Sequence, residues 1–343
     1  MTLKKIAFRI GIPIIIIGIF FTLFIYNSLF SSYVEKDLHQ KYLFISTNAT
    51  FQDVKNSLLN EGFVKDISLF SKVARWKDYD KNIKAGRYEI QASQSVWSLV
   101  KKLKSGEQSP VRLTFNNIRF TEKLAGILGS KLEIDSTSFM DAMNNSQLLA
   151  DYGFSLETRN CMFLPNTYEF YWNISLKDFL DKMLKEYKKY WTQERIDKAA
   201  KIGLTELEVS ILASIVQEET NKKDEMSRIA GVYLNRLKKG MLLQADPTAR
   251  YAYGDFNVKR IIGSYLTIDS PYNTYKYKGL PPGPICMPEP IAIDKVLNAE
   301  QHSYFYFCAK ADGSGYHSFA SSHDEHINNA RAYHRYLNSK GIR

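Results

Sequence analysis

Residues 205–220 read TELEVSILASIVQEET. Thr205 suits a helix N-cap and Glu208, at the N3 position, completes a capping box, so the spacing predicts a helix opening at Thr205. Leu207, Val209, Ile211, Leu212, Ile215 and Val216 cover one broad arc of its surface at about 100° of rotation per residue. Glu219 falls near the middle of that arc, above Leu212, Ile215 and Val216, and Glu218 falls on its flank. A carboxylate on an apolar face is costly to ionise, so its pKa rises, as a general acid working near neutral pH requires. The competing reading has Glu219 fraying at the helix end and pairing with Lys222 or Lys223.

Downstream, Met226 to Lys239 is a second expected helix, stopped by Gly240, with Ile229, Val232, Tyr233 and Leu237 facing inward. Asn235 and Arg236 are either structural or within reach of a substrate. In LLQADPTARYAYG, 242–254, Asp246 before Pro247 suits a turn with an exposed carboxylate. SPYNTYKYKGLPPGPI, 270–285, is too rich in Pro and Gly for a helix or a central strand. It reads as a rigid loop, either the wall of a saccharide cleft or a surface loop held by its prolines. Tyr304–Ala309 and Tyr316–Ala320, joined through Asp312-Gly313-Ser314-Gly315, predict a β-hairpin. Ser322 and Glu325 form another expected capping box, opening a helix through Asn338. His317, His323, Asp324 and His326 are close in sequence and raise a zinc-amidase reading. No HExxH accompanies them, and surface or capping histidines are the competing account. Ser214 lacks the glycines of a nucleophile elbow.

Upstream, Leu176, Phe179, Leu180, Met183, Leu184 and Tyr187 follow helical spacing. NCMFLPNTYEF, 160–170, is either a sugar-groove wall or a core loop. Residues 42–115 alternate short strands with amphipathic helices: strands at Tyr42–Ile45, Gly86–Ile90 and Val111–Phe115, helices at Phe51–Glu61, at Ser68–Arg75 and after Ser95. No catalytic constellation appears there. Before them, Lys4, Lys5 and Arg9 precede an apolar run, Ile10–Phe30, of about 20 residues, enough to cross a bilayer. A cleaved signal peptide competes with an uncleaved anchor. The length of the run and the lack of a small-x-small site favour the anchor. The basic end stays cytoplasmic and the body lies outside.

The 343 residues carry a net charge of +10 and a pI near 9.2. That balance suits an anionic neighbourhood, yet the charge is dispersed and no nucleic-acid motif accompanies it, so nucleic acid is excluded as the partner. Cys161, Cys286 and Cys308 form no CxxC pair. One disulfide is allowed, with no pair selected.

Taken together, LASIVQEET, YLNRLKKGMLLQADPT, SPYNTYKYKGLPPGPI and FLPNTYEF resemble the YceG-like endolytic murein transglycosylase family. In that family the catalytic Glu stands in an ASI[IV]xxE pattern, which falls here on Glu219. Two departures are visible: Asn166 stands where the family usually has Asp, and the Glu–Gly expected near Ile118–Phe120 is missing. The resemblance implies an α+β protein: cytoplasmic tail 1–9, transmembrane anchor 10–30, linker 31–41, LysM-like subdomain 42–110 and a larger catalytic domain 111–343.

It also implies a lytic transglycosylase of the cytoplasmic membrane, needing no cofactor or metal. It would cut MurNAc–GlcNAc links in peptidoglycan glycan strands, leave 1,6-anhydro-MurNAc ends and terminate nascent strands. Peptidoglycan synthases of elongation or division would be its protein partners. Gln244, Asp246, Tyr272, Asn273 and Tyr275 are the expected substrate contacts around Glu219. Two alternatives stand beside this: a muramidase using Asp246 as second carboxylate, and a non-catalytic wall-binding scaffold.

Overall fold

The structure is a computed structural model that describes residues 3–116, 118–256 and 263–341. The chain divides into two units. The first comprises Met1–Arg112, Lys131–Glu133 and Glu169–Ile174. The second comprises Leu113–Ser130, Ile134–Tyr168 and Ser175–Arg343. The fold is mixed α+β and mostly helical, with three two-stranded sheets among the described residues.

The first unit opens with helix α1 (Leu3–Phe30), whose stretch Ile12–Phe30 is apolar and unburied. Strand β1 (Tyr42–Ile45), helices α2 (Phe51–Asn60) and α3 (Ser68–Trp76), strand β2 (Gly86–Glu89) and helix α4 (Val96–Ser105) follow. β1 and β2 pair antiparallel, with Tyr42 opposite Glu89 and Ile45 opposite Gly86. Thr50 caps α2, and Asp53 completes a capping box with it. Leu43, Leu58, Phe70, Tyr79, Tyr88, Leu99 and Leu103 build the core. The segment 31–41, expected to be a linker, is held along this unit: the Tyr33 and Val34 amides donate to Gln94 O at 3.0 and 2.9 Å, and the Val34 side chain is buried.

The remaining strands are β3 (Val111–Phe115), β4 (Asn166–Phe170), which pairs with it, β5 (Tyr306–Ala309) and β6 (His317–Ala320). The helices are α5 (Thr121–Lys131), α6 (Ser136–Met143), α7 (Ser146–Tyr152), α8 (Leu176–Tyr190), α9 (Gln193–Lys201), α10 (Glu206–Glu219), α11 (Met226–Lys238), α12 (Asp246–Tyr253), α13 (Ser264–Thr267), α14 (Pro290–Leu297) and α15 (His323–Ser339). Residues 160–165 are buried, with Phe163 tilted against Phe139 and stacked on Phe179, so this part of the 160–170 stretch is core.

α10 is the axis of the second unit and packs against α9, α11, α12 and α14. Its Thr205–Glu208 capping box forms as the sequence predicts. The expected apolar arc is too narrow a description, since Val209 through Val216 are buried without a break, Ser210 and Ser214 included. Ser214 explains how a hydroxyl sits there: it donates to Ile211 O at 2.7 Å and accepts the Ile285 amide at 3.0 Å. Gln217 accepts the Glu289 amide at 2.7 Å, so two polar side chains of α10 latch the Pro-rich segment after residue 284. Residues 246–253 form helix α12 rather than only a turn, because Pro247 occupies its first helical turn, where a missing N–H costs nothing. At α15, Ser322 caps as expected, but Glu325 reaches back to the Ser321 amide, so the reciprocal box is not closed.

Candidate active site

α10 ends at Glu219, and Thr220 turns the backbone to an extended conformation. The helix end delivers the Glu219 carboxyl to a cavity of about 460 Å³, also lined by Tyr233, Arg236, Gln244, Asp246, Tyr275 and His317. No ion pair of Glu219 with Lys222 or Lys223 forms. Instead the Tyr233 hydroxyl donates to Glu219 Oε1. Burial pushes the Glu219 pKa from 4.5 up to about 7. The Tyr233 hydrogen bond pulls it down, the Asp246 charge pushes it up, and the Arg250 and Arg236 charges pull it down. The outcome is a carboxyl that can hold its proton near neutrality and still ionise readily, the property required of a group that gives and then takes a proton. Its neighbour Glu218 is committed elsewhere, in an ion pair with Arg119.

α11 supplies Tyr233 and Arg236, three residues apart and so on one face. The buried Arg236 guanidinium donates to Phe305 O at 2.6 Å and to Leu243 O at 2.7 Å, tying the hairpin strand and the 242–244 segment to α11. Its pKa is lowered by burial. Asn235, one residue before, donates to His302 O and Tyr304 O at 2.8 and 3.0 Å, a structural use.

The 242–248 and 270–275 segments are sewn together by buried groups. The Gln244 amide donates to Thr274 O at 3.0 Å, the Ala245 amide to Thr274 Oγ1 at 3.0 Å, and the Thr248 and Thr274 hydroxyls bond at 2.7 Å. Gln244 is held at φ 50°, a left-handed conformation uncommon for a residue with a Cβ. Tyr275 donates its hydroxyl to Asp246 Oδ1.

Of the expected contacts, Gln244, Asp246 and Tyr275 therefore share the cavity with Glu219, while Tyr272 and Asn273 do not line it. Asn273 is fully buried. Its amide donates to Leu266 O and Ile268 O, and its Oδ1 accepts the Tyr275 amide at 3.0 Å, so it shapes the turn that presents Tyr275. Tyr272 packs on Tyr251 with ring centroids 4.8 Å apart. Its hydroxyl lies so near Gly283 that a Cβ there would meet it at 2.9 Å.

The hairpin forms as predicted, with Tyr306 opposite Ala320 and Ala309 opposite His317. It contributes Phe307, Cys308 and His317 to the cavity wall. Sequence reasoning did not place Phe307, Cys308 or Tyr233 in the site, left Arg236 open between a structural and a substrate role, and raised His317 only in the zinc reading. His317 is fixed by the buried Glu225: Nδ1 lies 2.7 Å from Oε2, and the His317 amide donates to Oε1 at 2.9 Å. That leaves Nε2 as its nitrogen available to a ligand. His326 also lines the cavity and stacks on Tyr306, while His323 meets the same ring edge-on. All three cysteines are free.

The profile of the YceG-like family matches residues 43–332. The chain belongs to the YceG-like family. Relatives of this YceG-like chain include a protein named endolytic murein transglycosylase from Bacillus subtilis (strain 168), 27% identical over 92% of this chain and 91% of its own length. One of the same name from Streptococcus pneumoniae (strain D39) is 29% identical over 86% of this chain, which spans 58% of that relative's length. A crystal structure of a yceG-like protein from Listeria monocytogenes matches with a TM-score of 0.55 at 25% identity, covering 85% of this chain and 99% of that one.

Proposed function

We propose that this YceG-like chain is a membrane-anchored endolytic lytic transglycosylase of peptidoglycan, with Glu219 as its acid and base. The observation that carries the reading is the Glu219 carboxyl, raised to about 7 and facing a cavity of about 460 Å³. The names of its relatives support the reaction class.

With Tyr233 on Oε1, the acid proton resides on Oε2. Protonated Glu219 gives that proton to the glycosidic oxygen of a MurNAc–GlcNAc link as the C1–O bond breaks. The substrate's own N-acetyl carbonyl oxygen shields the cationic anomeric carbon. The carboxylate then takes the proton of the MurNAc C6 hydroxyl, whose oxygen closes on C1. Glu219 ends protonated as it began, no water is consumed, and the new end is 1,6-anhydro-MurNAc. The nucleophile belongs to the same sugar, so its approach carries little entropic cost. Gln244 and Tyr275 hold the sugar, and Asp246 holds Tyr275 and keeps the Glu219 pKa up.

Helix α1 is the anchor in this reading. Its apolar length suits one crossing, and Lys4, Lys5 and Arg9 keep its start cytoplasmic, so both units face outward toward the wall. We read the first unit as LysM-like on its β1–α2–α3–β2 order, and the function as termination of nascent strands.

Digestion of purified glycan strands by the full chain in detergent, read by mass spectrometry, tests the proposal. Anhydro ends with wild type and none with Glu219→Gln support it. Reducing ends instead favour a second reading, a muramidase, which rests on Asp246 lining the same cavity as Glu219. Binding to sacculi without any cut, by active-site-intact protein, overturns both.

A further inference from the structure

The exit of α1 into the first unit is built of aromatic rings in series. Tyr26 meets Phe30 at 4.9 Å between centroids, Phe30 meets Trp97 at 5.5 Å, and Trp97 meets Trp76 at 5.6 Å. Trp76 closes the series and is 68% exposed, costly for so large an apolar ring in water. Lys77 Nζ lies 3.5 Å from the Trp97 ring centroid and 5.7 Å from that of Trp76. Lys104 joins the cluster by donating to Lys77 O.

The two small hydroxyls inside the apolar span of α1 are satisfied within the helix, while Tyr26 and Asn27 fall near its exit end. Thr22 and Ser28 return their hydroxyls to Gly18 O and Phe24 O at 2.8 Å each. The 19 residues of Ile12–Phe30 rise about 28 Å, so Phe30 comes out where hydrocarbon gives way to headgroups. Nor is the unit free to drift from that level. Val34 is buried in its core, and Tyr33 and Val34 are hydrogen-bonded to Gln94 directly after the helix.

We propose that the Trp76–Trp97 face of the first unit sits in the outer headgroup layer of the bilayer that α1 enters, with Lys77 and Lys104 toward lipid phosphates. Tryptophan rings beside lysines are the composition this layer favours, since the ring gives an apolar body with a polar edge and the lysine stem reaches up to the phosphate. The face is continuous with α1 through Phe30, so the partner it fits is lipid. The proposal rests on α1 being a retained anchor.

The full chain is reconstituted in vesicles of phosphatidylcholine and phosphatidylglycerol, with bromine on the acyl chains either near the headgroup or near the methyl end. Single-tryptophan variants retain Trp76 or, as control, Trp191, which is 4% exposed in the second unit. Shallow bromines should cut Trp76 emission by about half and deep bromines less, with Trp191 unmoved. A second measurement uses the unmutated chain, so it does not depend on the variants folding. Hydroxyl-radical oxidation in vesicles should label Trp76 less than Tyr277, although Trp76 is the more exposed of the two in the protein alone, 68% against 42%. Alkaline extraction of the same vesicles separates the two ways of failing. A chain that washes out sinks the anchor and this face together. A chain that stays in, with Trp76 unquenched and freely oxidised, overturns the face alone.

Discussion

The cavity beside Glu219 and a cavity in the first unit beside Asp53 are close in size, about 460 against 400 Å³, but differ in what their polar groups can still do. In the first unit Asp53 accepts from the Thr50 amide and hydroxyl at 2.8 and 2.6 Å, which hold its pKa below the usual carboxylate range. Thr47 gives its amide and hydroxyl to Glu133 at 2.7 and 2.6 Å. Those groups are spent on a helix cap and on a tie between distant segments. Around Glu219 the carboxyl is raised in pKa, Oε2 is open to a ligand and the His317 Nε2 is uncommitted. Hollow volume is common to both. Spare proton-transfer capacity belongs to one.

The largest effect expected from that difference is at Glu219. Glu219→Gln keeps the shape and removes the proton, and glycan cleavage should fall about a thousandfold or more, within the range for a lost general acid. Anhydro-end counting by mass spectrometry measures it, and activity within a few fold of wild type would end the assignment.

Next is Tyr233→Phe. Its hydroxyl steadies Glu219 and lowers the Glu219 pKa. Losing it should slow cleavage roughly tenfold and move the alkaline limb of the pH–rate profile, near pH 7 in wild type, upward. A slower enzyme with an unmoved limb would show that the hydroxyl acts through packing alone. Tyr275→Phe should cost less, a few fold and mostly in KM, because it releases Asp246 and one sugar contact but leaves the acid in place.

The same shift has a stability consequence. The folded pKa of Glu219 is raised above its unfolded value, so the folded state holds the proton more tightly. The stability it contributes is full below about 4.5 and is lost as pH rises through about 7. Thermal melts of wild type against Glu219→Gln should diverge across that window, with the glutamine variant gaining on wild type as pH rises. Parallel curves would mean that Glu219 ionises as freely as in an unfolded chain.

Local rules carried the sequence reading a long way. The Thr205–Glu208 box and the period of α10 put Glu219 at a helix end among apolar neighbours, because both depend on residues within a turn or two of each other. Gln244, Asp246 and Tyr275 reached the same cavity. Asn273 carries a distinctive loop signal, yet its side chain is used up by Leu266 O and Ile268 O, a distinction that only the folded turn reveals. Tyr233 read as an inward residue of α11, but which surface it faced depends on how α11 packs on α10. Arg236 and His317 owe their places to Phe305 O and Glu225, 69 and 92 positions away. α14 escaped notice because its first residue is Pro290 in a Pro-rich stretch, where helix starts and irregular loops look alike.

The smallest effect expected is at Asp53, where the comparison predicts no catalytic change at all. Asp53→Asn removes a charge from a cavity nearly as large as that of Glu219, so if volume and a carboxylate were enough, cleavage should suffer. The hydrogen bonds say otherwise. The lowered pKa keeps Asp53 ionised under working conditions, so it has no proton to give, and the oxygen that accepts twice from Thr50 is closing the first turn of α2. The variant should cleave within about twofold of wild type and melt a few degrees lower, the cost of a weakened cap. A fall in cleavage approaching that of Glu219→Gln, with the melting temperature unchanged, would mean that the first unit takes part in the chemistry and that spare proton capacity is the wrong criterion for telling the two cavities apart.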